Sequence, residues 1–447
     1  MSTASTTPAA AKQLRKNIRA FSLWDFGTSA YSAVILTFVF ATYLTQGVAP
    51  ADLTDEAAIQ AAKDDASALI GTVHACVAIV IALLAPMLGT VADTGGQRNR
   101  MLRITTLASV ILTAPLALIA PDPSMLVLGA ILLAVSAGVL ELSQVFINSV
   151  LPQISTPQNR GRISGTAWAL GYWGGIICLG LVLVGFVMPG TGLFGIPGTD
   201  ALNLRAVPLF VALWMLIFTF PIMRNLPPSP VSDDHQKWNP FTSYRDLFLR
   251  IVRAHRNEPK MLHFLIASAI YRDGINAVFT LAGVIAATSY GFAASEIILF
   301  GIAANLIAGF GVYFAGKSDD IFGPRAVIIF ALTSIIICGT VLVFVPGKLT
   351  FWIAGLCLCI FVGPVNSSSR NLLTGLSRPA NYAENFGLFA ATGRAIGFLG
   401  TSAFAIGTVI GGTSIGILGI VLVLLVGLIS FIPLKLPARQ AEHEVAG

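Results

Sequence analysis

The sequence predicts an all-α membrane protein of twelve transmembrane helices, arranged as two pseudo-symmetric six-helix bundles. Three observations carry this. The 447 residues are 55% hydrophobic and only 11% charged, where a soluble domain carries about 25% charged residues, and mean hydropathy is +0.81. Apolar runs of about 20 residues, the length that crosses a bilayer, recur along the chain. The signature Gly89-x-x-x-Asp93-x-x-Gly96-x-Arg98 returns 227 positions later as Gly316-x-x-x-Asp320-x-x-Gly323-x-Arg325. Each copy is a short polar turn between two apolar runs. The two copies hold the same place in two halves of one molecule, which is the mark of a transporter with its site between repeats.

Residues 1–20 read as a polar tail ending in Lys12, Arg15, Lys16 and Arg19. The run from Phe21 to Leu44 is too long for a signal h-region and long enough to span, so no cleavable signal is expected. The spans read as 21–45, 67–91, 102–120, 125–149, 163–188 and 205–223 in a first bundle, 21–224. A second bundle, 261–434, holds 261–287, 294–315, 325–345, 350–371, 384–410 and 414–434. The first outer loop, 46–66, is acidic (Asp52, Asp55, Glu56, Asp64, Asp65 against Lys63). It accounts for a register difference: Asp25 to Asp93 is 68 residues, Asp273 to Asp320 is 47.

Between the bundles, 225–260 is the long polar stretch. Pro227, Pro228 and Pro230 end the sixth span. Phe241, Tyr244, Leu247, Phe248, Ile251 and Val252 then recur at helical spacing opposite Arg245, Arg250 and Arg253. This reads as a helix lying on the anionic inner leaflet; a regulatory partner site is the alternative. A second repeat supports the halves. Thr156-Pro157-x-Asn159, Gly165 and Gly171 match Arg378-Pro379-x-Asn381, Gly387 and Gly393 at an offset of 222, each at the turn between spans four and five of its half.

With both termini and residues 435–447 cytoplasmic, 22 of the 27 Lys and Arg fall inside, three outside (Lys63, Arg205, Lys348) and two within the membrane (Arg272, Arg394). The reverse topology would export the cluster Arg245, Arg250, Arg253 and Arg256, against the positive-inside rule. The five cysteines lie in apolar stretches and read as packing residues. No nucleotide-binding loop, Gly-x-Ser-x-Gly elbow or paired His-Glu metal site occurs. An enzyme, a metal, a cofactor and a nucleic-acid partner are therefore not expected.

The twelve spans, the six-plus-six repeat and the doubled signature resemble the major facilitator superfamily. Within it, Leu23-Trp24-Asp25-Phe26-Gly27-Thr28-Ser29-Ala30-Tyr31 resembles the vacuolar-effluxer-like branch. So does Asn148-x-x-x-Pro152-x-Ile154-x-Thr156-Pro157-x-Asn159-Arg160-Gly161-Arg162-x-Ser164-Gly165, followed by Trp168-Ala169-Leu170-Gly171-Tyr172. That branch includes proteins implicated in releasing amino acids from vacuoles, so the resemblance implies the fold firmly and the cargo weakly. The chain departs from relatives in places. Thr94 stands where the signature has a basic residue, and span two has no acidic residue before Asp93 where melibiose-type symporters carry carboxylates.

The signature turns, Gly89, Asp93, Gly96, Arg98 and Gly316, Asp320, Gly323, Arg325, are candidates for an inner gate, because plain positive-inside anchoring needs no fixed glycines. Arg272 and Asp273 lie about 18 Å into span seven, near the midplane, and must face water, each other or a partner. Glu141 in span four is a candidate protonation site, and Arg394 in span eleven a candidate for a substrate carboxylate. For both, a structural ion pair is the bland alternative. Asp25 reads either as a coupling group or as a solvated helix-entry carboxylate favoured by the dipole. Trp168 and Tyr172, four apart, read as cavity lining or interfacial belt. Asn276 and Asn366, with Asn148 and Asn305, line the path or pair between helices. His74 reads as packing.

The function expected is secondary active transport of a small polar solute, amino-acid-like or another carboxylate, by alternating access. Proton-coupled export by a monomer in the cytoplasmic (plasma) membrane is the specific form. A cation-coupled sugar or lipid-linked glycan transporter on the same fold is the alternative, and a non-transporting receptor the third. The topology has a direct test. A cysteine replacing Asp55 should react with an impermeant thiol reagent from outside, and one replacing His235 only after permeabilisation; outside labelling at 235 overturns the orientation.

Overall fold

The computed structural model describes residues 8–51, 53–188, 191–192, 195–227 and 259–434. The amphipathic linker segment expected at 241–252 lies outside the described residues. Among the described residues, twelve helices are long and apolar enough to cross a membrane: helix 1 Pro8–Val48, helix 2 Glu56–Thr94, helix 3 Arg98–Leu118, helix 4 Pro123–Gln153, helix 5 Arg160–Val187 and helix 6 Thr199–Arg224. Helix 7 is Pro259–Tyr290, helix 8 Glu296–Phe322, helix 9 Pro324–Phe344, helix 10 Lys348–Leu376, helix 11 Pro379–Gly411 and helix 12 Thr413–Phe431. A lipid interior offers backbone groups no water, so only a structure that satisfies them internally can span it. Large apolar side chains face outward, with Val409, Phe344 and Leu349 89%, 72% and 72% exposed. Outside the helices, a two-residue ribbon pairs Thr191–Gly192 with Ile196–Pro197 antiparallel.

Helix 1 begins at Pro8, well before the apolar run, so positions 8–20 are helical. Asp25 is then seventeen residues into the helix, which removes the helix-entry reading. Further along, Tyr31–Phe38 and Leu44–Val48 are π-helical. Helix 11 is not one rod. It divides into 11a, Tyr382–Ile396, and 11b, Leu399–Gly411.

The chain forms two compact units by contact. The first is Met1–Ile81, Arg98–Ile147 and Leu170–Ser229; the second is Ala82–Gln97, Asn148–Ala169 and Pro230–Gly447. In the first, Trp24 Nε1 donates to Thr106 Oγ1 at 3.2 Å, Thr106 Oγ1 and Ser143 Oγ lie 2.6 Å apart, and Tyr31 donates to the Leu133 carbonyl at 2.9 Å. These buried bonds fix helices 1, 3 and 4 together, and Phe26, Trp214 and Phe218 stack helix 1 on helix 6. In the second, Tyr271 on helix 7 hydrogen-bonds Ser369 on helix 10 at 2.6 Å. The second unit also takes in the end of helix 2 and the turn from helix 4 into helix 5. That membership brings residues 89–97 of the first repeated turn into one packed body with the second.

Helices 7 and 12 cross at Gly427. A Cβ there would stand 2.7 Å from Tyr271 Cβ and 2.8 Å from its backbone nitrogen, so no side chain fits. Overpacking such a contact costs about 1–3 kcal/mol. Gly427→Leu should lower the detergent-solubilised Tm, and an unchanged Tm would mean that this crossing has slack.

Candidate functional site

The signature turns position two backbone crossings. Gly96 and Gly323 sit at φ +60 and +83, the left-handed region that glycine enters without a Cβ penalty. Gly89 and Gly316 serve close approach instead. A Cβ on Gly89 would lie 2.5 Å from the Ala383 carbonyl oxygen, and one on Gly316 2.8 Å from that of Gly161. The crossings continue one turn on: Gly387 would meet the Ala85 oxygen at 2.5 Å, and Gly165 the Val312 oxygen at 2.7 Å. Positions 85 and 89 map to 312 and 316 by the 227 offset, and 161 and 165 map to 383 and 387 by the 222 offset. Helix 2 on helix 11 and helix 8 on helix 5 are therefore one crossing built twice.

The signature carboxylates close both. Asp93, 2% exposed, accepts from the backbone N–H of Ala383 at 3.2 Å and of Glu384 at 2.9 Å. Asp320 accepts from the Arg162 N–H at 3.1 Å. Residues 162 and 384 are again 222 apart. Both acceptors meet the first turn of a helix, where N–H groups lack intrahelical partners and the dipole favours negative charge. Such caps contribute about 1 kcal/mol each. Beside Asp320, Asp319 is 1% exposed and accepts from Asn371 Nδ2 at 2.8 Å. Among the other turn residues, Arg98 is buried and Arg325 donates to the Ile432 carbonyl at 2.7 Å.

Beside the helix 5 crossing lies Arg370, which the sequence reading counted only among the inner basic residues. It is 3% exposed. Its Nε donates to Ser164 Oγ at 2.9 Å, Nη2 to the Ser164 carbonyl at 2.7 Å and Nη1 to Asn148 Oδ1 at 3.2 Å. The Trp168 ring lies 5.8 Å from the guanidinium, which gives this tryptophan a packing partner. A buried arginine is tolerable only when its donors are satisfied. Asn148 and Arg370 are themselves 222 apart, so the pair joins a position to its own repeat-mate. Carrying the second repeat eight residues back from Thr156 and Arg378 would have matched them.

The intramembrane charges of helix 7 both meet helix 11. Arg272 Nη1 donates to the Phe389 carbonyl at 3.0 Å, and the guanidinium stands 3.8 Å over the Phe389 ring. Asp273, 4% exposed, accepts from the Gly400 N–H at 2.6 Å. Arg394, in the last turn of 11a, is exposed, as is Asn276 one turn along helix 7 from Arg272. Asn366 is half-buried and donates to its own helix at the Val362 carbonyl, 3.4 Å away. In the first unit Asp25 is buried, with its Cβ 3.6 Å from the Cβ position of Gly171. Gly171 is the repeat-mate of Gly393, which packs on Arg272. Asp25 and Arg272 thus hold corresponding places against helices 5 and 11. Glu141, Tyr172 and His74 are half-buried. No group of three or more His, Cys, Asp or Glu among the described residues is placed to hold a metal.

Residues 13–444 match the family described as vacuole effluxer Atg22-like. The chain belongs to that family. It is similar to an uncharacterized MFS-type transporter, YxiO, of Bacillus subtilis (strain 168), with 23% identity over 432 residues, 94% of this chain and 96% of that one. With autophagy-related protein 22-1 of Neosartorya fischeri it shares 25% identity over 267 residues, 54% of this chain and 42% of the relative. Among solved structures it is similar to the proton:xylose symporter XylE, at TM-score 0.71 and 13% identity, covering 94% of this chain and 95% of that one. The human organic anion transporter MFSD10 gives TM-score 0.69 at 12% identity, covering 95% and 100%. The E.coli fucose:proton symporter FucP gives 0.68 at 15%, covering 95% and 98%. These structural likenesses establish the major facilitator fold. This Atg22-like chain is an integral multi-pass membrane transporter with a small-molecule cargo rather than an enzyme, and its fold is the one that the resemblance in its first span and its 4–5 turn implied.

The buried Ser164–Arg370 contact has its own test. Ser367, 1% exposed, lies under the Ser164–Arg370 contact, 3.0 Å from Ser164 Oγ. Valine at Gly165 or Gly387 would collide with opposing backbone at 2.7 or 2.5 Å. A cysteine replacing Ser367 should then react with a small thiol reagent at least several-fold faster than in the glycine parent. Equal reactivity would show that the crossings do not shield position 367.

Proposed function

We propose that this transporter exports a small carboxylate-bearing polar solute of the amino-acid class, coupled to protons, and works as a monomer in the plasma membrane. Both termini are cytoplasmic, and the end carrying the two signature turns is the cytoplasmic gate. The positive-inside distribution supports that orientation. The glycine crossings and the two aspartate caps then close the path to the cytoplasm, and alternating access consists of breaking and remaking them.

The observation that carries the cargo class is the exposure of Arg394. Arg394 directly follows Gly393, on which Arg272 packs, and it presents its charge at the break in helix 11. Asn276, exposed on the Arg272 face of helix 7, adds an uncharged polar group on that side of the helix. A guanidinium offers a carboxylate two parallel hydrogen bonds, which a sugar cannot match. The proton has three candidate carriers: Asp273 on helix 7, Glu141 on helix 4 and Asp25 on helix 1. Neutralising each in turn separates them, since only the carrier's loss uncouples uphill transport from a pH gradient while sparing exchange.

A thermal-shift panel of amino acids, organic acids and sugars on the purified protein tests the cargo. A carboxylate-bearing ligand should stabilise it in proportion to occupancy. Arg394→Gln should then weaken that ligand about 30-fold, the scale of a lost charged hydrogen-bond pair. Stabilisation by sugars alone, or full affinity in Arg394→Gln, would overturn the carboxylate reading.

A further inference from the structure

Helix 11 is interrupted at Gly397–Phe398, and helix 7 meets it on both sides of the interruption. On the 11a side, Arg272 holds the Phe389 carbonyl and ring, and its guanidinium lies 3.3 Å from the Cβ position of Gly393, one turn before the helix ends. A cation near a helix C-terminus is favoured by the dipole. On the 11b side, Asp273 accepts from Gly400, the second residue of the helix, at 2.6 Å. A carboxylate on first-turn N–H groups is the favoured cap. The fit is close: a Cβ on Gly400 would stand 2.6 Å from Ala277 Cβ and 3.3 Å from Asp273 Oδ2. Phe398, the residue before 11b, has no side-chain cap of its own. At the break, short backbone turns run from the Gly397 N–H to the Arg394 carbonyl and from the Phe398 N–H to the Ile396 carbonyl.

We propose that Arg272 and Asp273, consecutive on helix 7, clamp the two halves of helix 11 separately, and that protonation of Asp273 releases 11b alone. Arg272 stays charged at any physiological pH and keeps its hold on 11a. A neutral Asp273 loses the charge that draws it to the helix N-terminus, and 11b can then swing about Gly397. The pair are positioning residues for the transport cycle. The consequence for coupling rests on the proton-coupled reading, with Asp273 as its carrier; the clamp itself does not.

The surroundings of Asp273 leave few other groups to titrate. Helix 11b and helix 12 carry no ionisable side chain. Helix 11a brings Arg394 at the break and Glu384 in its first turn, three turns away. Helix 10 presents Ser369, bonded to Tyr271, and carries Arg370, then Cys357 and Cys359 further along and Lys348 at its start. Helix 8 carries Glu296 at one end and Tyr313, Lys317, Asp319 and Asp320 toward the other.

Spin labels on cysteines replacing Val409 at the end of 11b and Leu349 at the start of helix 10, both exposed, report the hinge by distance distribution. The parent should give a narrow distribution at pH 7.5 and a second, displaced population near pH 5, with the displaced fraction rising about tenfold. Asp273→Ala should show the displaced population at both pH values. Asp273→Asn keeps an acceptor oxygen without the charge, so its distribution should be the same at both. A narrow distribution in Asp273→Ala at pH 7.5 would overturn the clamp. A pH response that persists in Asp273→Asn would overturn the switch. Should the hinge respond as stated while Asp273→Asn still drives uphill transport from a pH gradient, the clamp stands and the coupling reading falls.

Discussion

A carboxylate on one helix set on the first-turn N–H groups of another is the contact on which this structure turns, and three such contacts lie among the described residues. Asp93 meets the start of helix 11a, Asp320 the start of helix 5 and Asp273 the start of 11b. In each case the acid sits on one helix and the N–H groups on another. The bond is strong where water is scarce, because both the charge and the orphan amide would otherwise go unsatisfied. It is also easily undone, since a single proton or a small rotation of one helix breaks it. A membrane protein that must hold and then release its ends has reason to use such a bond in place of apolar packing, which lipid tails can replace.

Glycine makes those bonds geometrically available. At Gly89, Gly165, Gly316 and Gly387 the opposing backbone comes within 2.8 Å of where a Cβ would be. Only that approach brings Asp93 and Asp320 within reach of backbone on the facing helix. Arg370 lies buried beside the helix 5 crossing, and its three donors bind Ser164 and Asn148. The repeat explains why one set of contacts appears twice and why Asn148 meets its own repeat-mate. The offsets of 227 and 222 residues relate each partner in these contacts to a counterpart in the other half of the sequence.

The sequence by itself determined the twelve spans, the doubled turn and the family, because bilayer thickness and repeat offsets are properties of order along the chain. It also named Asp93, Asp320, Arg272 and Asp273, since charge in an apolar run is conspicuous wherever the run packs. Tertiary structure alone decided what those charges touch. Nothing local to Ala395–Leu399 marks a break more strongly than the other glycines of the chain, and the interruption is visible only with Asp273 seated on Gly400. Arg370 lay hidden for the opposite reason: near a helix end it looked like an ordinary anchoring cation, until Ser164 and Asn148 arrived from 206 and 222 positions away to bury it. Periodicity reports which residues share a helix face; which face of another helix they meet depends on contacts far apart in the chain, and those are made only when it folds.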